Sequence, residues 1–367
     1  MRIASIDLDA TKDYGDALGP IKMGRLSEIV AIAGRNGAGK SRLFKRVETL
    51  VQNYNSHLQQ QEGLRTQIEG LSRLIASKPF GTEQSKQELA IAQKLLAVRF
   101  PLTASEPNKR LECIRFSPQV GEFEDPYSFS KGELRESASY VGFRGMPHFL
   151  RGTFAKIQFL QNQWMEATHP NAEMTQCERD SFIRDYKRLQ TILSKFLQTT
   201  VTRSPEGDAK LFGFRLGYSK LSQGQAMLLQ FCCSIHSSGA DIDNLIVLIE
   251  EPENYLHPSA MIEVIDEISK HVPNGQLWIA THSVPLLSHF PQESIWWMEE
   301  GTVKYAGTVP QQVLGGLLGN EERVAKLADF LNLPANLAGV RFAYQSLFTP
   351  SVVESRPGDP QANRLRT

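Results

Sequence analysis

The stretch Glu28-Ile29-Val30-Ala31-Ile32-Ala33-Gly34-Arg35-Asn36-Gly37-Ala38-Gly39-Lys40-Ser41 decides the fold. Its second half fits G-x-x-x-x-G-K-[ST], the phosphate-binding P-loop. Its first half is a short apolar, β-branched run of the kind that forms a buried strand. Behind it, Leu43, Phe44, Val47, Leu50 and Val51 recur at helical spacing. Strand, Gly-rich turn and helix are the order the motif requires. Glycines let backbone N–H groups curl around phosphate oxygens, and the helix that follows aims its N-terminus at the same anion. The expected roles follow from reach. Asn36, Gly37, Ala38, Gly39, Lys40, Ser41 and Arg42 form the cradle, with Lys40 on the β- and γ-phosphates and Ser41 on Mg²⁺.

The bulk properties are those of an ordinary globular chain. Its 367 residues are 41% hydrophobic and 22% charged, which allows a large core and one elaborated domain or two. Lys+Arg and Asp+Glu number 40 each, so there is no global signal for a polyanionic partner. The four cysteines, Cys113, Cys177, Cys232 and Cys233, include no Cys-x-x-Cys pair. That spacing argues against a zinc site and fits reduced thiols in a cytoplasmic protein. The first residues lack the apolar segment of a signal peptide, and no apolar run approaches a membrane span.

Outward from the P-loop, residues 1–8 alternate as a strand, and 9–26 read as a polar connection. Residues 52–110 read as a helical insertion. Leu64, Ile68, Leu71 and Ile75 make a two-heptad stripe, Lys78-Pro79-Phe80-Gly81-Thr82 breaks it, and a second helix carries Leu89, Ile91, Leu95 and Leu96. This predicts a short hairpin, well under the length of a coiled-coil arm. Leu111 to Phe116 alternates as a strand and leads to Gln119 within a 111–120 segment. A helical lid or arm is expected over 121–209, with helices near 131–140, 150–166 and 178–199 and a turn at Ser204-Pro205-Glu206-Gly207-Asp208.

Residues 210–305 carry the second lobe. Leu245 to Ile249 and Gln276 to Ala280 read as buried strands, with an amphipathic helix from Pro258 to Val272 between them. Ser294 to Met298 reads as another strand. Strands alternating with helices predict a three-layer α/β core. Such strands deliver functional groups at their C-terminal ends. Three ends here carry polar groups: Gly34 to Ser41, Glu250-Glu251, and Thr281-His282-Ser283. A triphosphate with Mg²⁺ calls for a metal carboxylate, a group that orients water and a γ-phosphate sensor. Glu250, Glu251 and His282 suit these roles in that order. Leu221-Ser222-Gln223-Gly224-Gln225 has two readings at once. Ser222 with Gln225 fits a helix capping box, and a capped, Gly-containing helix start is also an anion site.

These four stretches, with Glu250-Glu251-Pro252-Glu253-Asn254-Tyr255-Leu256-His257-Pro258 as the third, resemble an ABC-type ATPase. They match the Walker A, signature, Walker B with D-loop, and switch-histidine segments, in that order. The Glu-Pro-Glu-x-x-Leu-His-Pro wording is nearest the OLD (overcoming lysogenisation defect), RecF and SMC-like branch. The resemblance covers about 150 residues in two blocks. It implies an α/β P-loop NTPase head with helical insertions, ATP and Mg²⁺ as cofactors, and a homodimer or higher even oligomer closed around ATP. It places Ser222, with Gly224 and Gln225, on the γ-phosphate held by a second copy, and makes Gln119 the Q-loop glutamine at nucleotide and metal. Phe129-Ser130-Lys131-Gly132-Glu133 mimics a signature but does not lie just before the Walker B strand.

Two departures from the family pattern stand out. Glu250 occupies the place of the usual Walker B Asp. OLD nucleases continue into a TOPRIM domain, whereas residues 306–367 are expected to hold helical stretches and a tail too short to cut DNA. The implied function is an ATPase that controls a separate effector, a nuclease or toxin, as in Septu-like or retron-associated phage defence. The alternative is a RecF/SMC-like DNA-binding ATPase of repair or recombination. A nucleic-acid surface has its main candidate in Ser137 to Met165. It lacks Asp and Glu and mixes Arg144, Arg151 and Lys156 with Tyr140, Phe143, Phe149, Phe154, Phe159 and Trp164. A packed helix with its aromatics in a core is the favoured reading of that stretch. A second basic cluster, Arg179, Arg184, Lys187, Arg188 and Lys195, has acids nearby and reads as a solvated helix face.

Overall fold

A computed structural model describes residues 1–8, 18–77, 83–97, 100–117, 119, 121–141, 148–254, 256 and 258–306. The expected C-terminal segment, beyond 306, lies outside the described residues, as do Phe143, Tyr255 and His257. The elements run β1 (Ile3–Leu8), β2 (Ile21–Gly24), β3 (Ile29–Ala33), α1 (Lys40–Ser77), α2 (Glu83–Leu96), β4 (Leu102–Ala104) and β5 (Glu112–Phe116). Next come α3 (Lys131–Ser139), α4 (Phe149–Thr168), α5 (Gln176–Leu197), β6 (Thr202–Arg203), β7 (Ala209–Leu211), β8 (Phe214–Arg215) and α6 (Gln223–Ser238). The rest are β9 (Leu245–Glu250), α7 (Pro258–His271), β10 (Gln276–Thr281), α8 (Val284–His289), β11 (Ile295–Glu299) and β12 (Thr302–Tyr305).

The central sheet has the order β12-β11-β3-β10-β9-β5. All neighbours are parallel except β12, which turns back on β11. Side chains alternate across each strand and so feed two cores. Ala31, Ile114, Phe116, Val247, Ile249 and Ile279 face one side, against α4 to α7. Val30, Ile32, Leu248 and Trp278 face the other, against Leu43, Phe44 and Val47 of α1 and the antiparallel sheet β2-β1-β4. Three layers result, the P-loop helix on one face and the helical lobe on the other.

α1 is a single helix of 38 residues, about 57 Å long. It crosses the expected 51/52 boundary without a break, since no proline interrupts it. Its buried residues end at Tyr54, and the remainder projects with α2 as the hairpin. Three segments require correction. The polar connection contains β2, and the helical insertion contains β4, both pairing with β1. A small sheet β6-β7-β8 crosses from the lid into the second lobe, with β6 in the lid, β7 across the 209/210 boundary and β8 in the lobe. Strands of two to four residues are too short for an alternation signal. Among the described residues no helix is long and apolar enough to cross a membrane.

Candidate nucleotide site

The ladder registers make three strand ends flush. Thr281 pairs with Ala33, and Ala280 pairs with Glu250. Adjacent strands lie about 4.8 Å apart, so the P-loop, His282 and Glu250-Glu251 emerge side by side. β10 stands between the other two.

The loop that follows β3 needs glycine at two positions for different reasons. Gly39 has φ +106°, a left-handed conformation that a side chain would strain. Gly34 is set by close approach, because a Cβ there would come within 2.6 Å of the Met298 carbonyl oxygen of β11. The first intrahelical bond of α1 runs from Leu43 N to Gly39 O at 2.9 Å. The amides of Lys40, Ser41 and Arg42 therefore precede the helical ladder and open toward the loop. Ser41, Arg42 and Asn36 are exposed, and Lys40 is 3% exposed. Its Nζ donates to the carbonyls of Gly34 at 2.9 Å and Arg35 at 3.1 Å, and stands 3.4 Å from Glu251 Oε1.

Glu251 has φ +41°, a strained position for a residue with a Cβ. Its amide still donates to Ala280 O at 2.8 Å, and its carbonyl accepts from Asn254 N at 3.0 Å. The ladder and the turn together hold the backbone there. Asn254 Nδ2 donates to Glu251 Oε2 at 3.0 Å, so both carboxylate oxygens have a partner. Glu250 points to the α1 side of the sheet and is ion-paired with Arg115 of β5. Glu253 organises the end of β10. Its Oε1 accepts from Thr281 Oγ1 at 2.8 Å and from the His282 amide at 2.6 Å. His282 Nδ1 comes within 2.9 Å of that same oxygen without hydrogen-bonding geometry. Among the described residues His282 Nδ1 and Glu253 Oε2 are buried without a hydrogen-bond partner.

Ser222 and Gln119 make their described hydrogen bonds with residues outside this cluster. Ser222 is exposed at the start of α6. Its Oγ accepts from Gln225 N at 3.2 Å, and Gln225 Oε1 accepts from Ser222 N at 3.0 Å, a complete capping box. Gly224 leaves room for α7, with Val264 Cγ2 3.4 Å from where a Cβ would be. The Gln119 amide donates to Gln230 Oε1 at 2.8 Å, and Gln230 Nε2 donates to Gln119 O at 2.9 Å. Gln119 Oε1 accepts from Leu150 N at 3.1 Å, so its side chain is engaged at the N-terminus of α4.

The structure thus joins Lys40 to Glu251 directly and sets Glu250 and His282 beside them through the sheet. Sequence reasoning missed Arg115, Glu253 and Asn254. Glu253 and Asn254 stand inside a motif already singled out, whereas nothing local marks Arg115. In the aromatic stretch, Phe149 and Phe154 are buried, and Trp164 stacks on Tyr186 with centroids 4.9 Å apart. Arg151 lies over the rings of Phe129 and Tyr140, at 5.5 and 5.8 Å. These rings serve packing, as the favoured reading of that stretch expects.

A model of the AAA ATPase domain family (AAA_15) matches residues 153–286. That span holds Ser222, Glu250, Glu251 and His282 and starts beyond the P-loop. No curated protein matches the chain. Solved structures that match include cbiO1 from Clostridium perfringens, part of the ABC transporter complex cbiONQ. It is 16% identical, with 93% of this chain and 97% of that one covered and a TM-score of 0.36. An ATP-binding cassette of an ABC transporter in its ADP conformation is 11% identical, covering 87% and 99%, with a TM-score of 0.40. The SmcHead bound to the C-winged helix domain of ScpA is 12% identical, covering 83% and 96%, with a TM-score of 0.34. The fold is an α/β P-loop fold, a mixed sheet covered by helices with the Gly-rich loop between β3 and α1.

Proposed function

We propose that the chain is an ABC-type ATPase that closes as a homodimer, or a higher even oligomer, around ATP and Mg²⁺. By this reading it hydrolyses ATP to control a separate effector, a nuclease or toxin, in anti-phage defence. The observation that carries the ATPase reading is the flush set of strand ends, with Lys40, Glu251, Glu250 and His282 at the C-terminal ends of neighbouring strands. The residues fit the nucleotide. The Gly-rich loop and the start of α1 offer amides to phosphate oxygens, and the Lys40 ammonium is held inside that loop. Asn36 to Ser41, with Arg42, would form the cradle.

Ser41 and Glu250, with Gln119 once released from Leu150, would hold Mg²⁺, which when bound neutralises phosphate charge. Lys40 would leave Glu251 for the phosphate. Glu251, relieved of its cation, would orient a water and take its proton. His282, fixed by Glu253 through its amide, would report the γ-phosphate. Ser222, Gly224 and Gln225 of a second copy would present the start of α6 to that same phosphate. The effector and the defence setting rest on the likeness of the Glu-Pro-Glu-x-x-Leu-His-Pro wording to the OLD branch.

The test is Glu251→Gln. ATP is expected to accumulate a dimer, seen by light scattering after size exclusion, with phosphate release reduced at least a hundredfold. Hydrolysis at the parental rate would defeat the role given to Glu251. A monomer at saturating ATP in this variant would defeat the composite site.

A further inference from the structure

Arg115 lies on β5, the edge strand of the central sheet, with Leu248 of β9 as its register partner. Alternation places Arg115 and Glu250 on the α1 side of the sheet, one diagonal step apart. The guanidinium Nε donates to Glu250 Oε1. Glu250 is 12% exposed and Arg115 31% exposed, so the carboxylate is the more enclosed member of the pair. Among the described residues Arg115 is its hydrogen-bond partner. Both side chains line a cavity of about 820 Å³ that runs along β5 between α1 and α6, with Lys45, Glu48 and Glu112 also in its wall.

This arrangement bears on the departure at Glu250. The carboxylate assigned to the metal is already neutralised, and its neighbour Glu251 is neutralised by Lys40. A divalent cation that approaches Glu250 meets a guanidinium in hydrogen-bonding contact with the carboxylate. The two cations repel, and they compete for one oxygen. The half-exposed arginine has the cavity to move into; the enclosed carboxylate does not. We propose that Arg115 is a built-in competitor of the divalent cation at Glu250. It keeps the carboxylate charge-neutral until a cation arrives with phosphate oxygens as additional ligands and displaces the guanidinium into the cavity. The metal then enters with the nucleotide rather than ahead of it. The longer arm of Glu, compared with Asp, gives the carboxylate the reach to exchange one cation for the other. The inference rests on the reading of Glu250 as a metal ligand and adds to it a regulator of metal affinity.

The experiment titrates Mn²⁺ into the full chain bound to a non-hydrolysable ATP analogue, with free Mn²⁺ read by electron paramagnetic resonance. Arg115→Met, which keeps the aliphatic stem, is expected to tighten Mn²⁺ binding roughly three- to tenfold, the effect of removing one nearby positive charge at a partly solvated site. Glu250→Gln is expected to weaken it, and adding Arg115→Met to Glu250→Gln is expected to change nothing further. If the Met variant melts early, Arg115→Gln removes the charge in its place, with the same expectation. Unchanged or weaker Mn²⁺ binding in the arginine variants, with weakening in Glu250→Gln, overturns the competition and leaves the metal role of Glu250 standing. Unchanged binding in Glu250→Gln overturns both.

Discussion

The Lys40 ammonium stands 3.4 Å from Glu251 Oε1, the lysine side chain almost fully buried and the glutamate 30% exposed. The cation proposed for phosphate and the carboxylate proposed for water therefore neutralise each other. By the proposed reading, nucleotide has to take Lys40 from Glu251 and from two loop carbonyls. Glu251→Gln weakens that hold and removes a negative charge beside the triphosphate. ATP affinity should rise about three- to tenfold in this variant, measured by titration of a fluorescent nucleotide. Lys40→Ala should lower it by at least about tenfold, the loss of a charge-assisted contact.

The close approach of Gly34 to β11 makes a second prediction. A Cβ at 2.6 Å from the Met298 carbonyl cannot be relieved by rotating a side chain, because the obstacle is backbone. Gly34→Ala should cost about 1–3 kcal/mol and weaken nucleotide binding through a displaced loop. Chemical denaturation and the same nucleotide titration measure the two effects. Gly37→Ala meets no atom within 4 Å and carries only the penalty of its φ of +82°, so it should cost less.

Glu253 fixes His282 through the backbone. Removing the carboxylate leaves Thr281 Oγ1 and the His282 amide without their acceptor. Glu253→Ala should cut ATP turnover at least about tenfold while ATP affinity stays within about twofold, since no described contact links Glu253 to the P-loop. Glu253→Gln keeps an amide oxygen for the same donors and should retain most of the activity. Steady-state kinetics and nucleotide titration separate these outcomes.

A pH dependence of stability follows from His236 on α6. Burial is the main cause that lowers its pKa to about 4, with the Asp185 backbone carbonyl opposing. Nε2 lies 2.9 Å from that carbonyl, and Nδ1 is buried without a partner among the described residues. The neutral ring with its proton on Nε2 satisfies this geometry. The unfolded imidazole titrates near 6.5, so the unfolded chain binds the extra proton first. This contribution is full above about pH 6.5, falls as pH drops toward 4, and levels below that. It amounts to at most about 3 kcal/mol. His236→Gln should flatten the slope between pH 4 and 6.5 in denaturant melts.

Much of the site was legible because its residues are neighbours in the chain or share one motif. Gly34 to Ser41 announces its own turn, and Glu250-Glu251 and Thr281-His282 announce themselves as polar groups ending apolar runs. The capping box at Ser222 was legible too, yet it does not discriminate. Ser130 with Glu133 and Thr175 with Glu178 make the same reciprocal bonds. Only the placement of α6 directly ahead of β9 sets Ser222 apart. Arg115 was illegible, since its partner Glu250 lies 135 positions away and the two meet only through strand pairing. β2, β4 and the small sheet were missed because such short strands carry no usable period.

What the sequence determined by itself was therefore local: a Gly-rich turn with the P-loop pattern, buried strands with polar ends, and amphipathic helices. These follow from backbone sterics and from the spacing of apolar side chains, which act over a few residues. The tertiary structure alone decided which charge neutralises which. Lys40 with Glu251, Arg115 with Glu250, and Glu253 with the His282 amide are set by the strand order and the ladder register. Coulomb and hydrogen-bond forces act across a few ångströms of space, and only the folded sheet brings such distant positions that close.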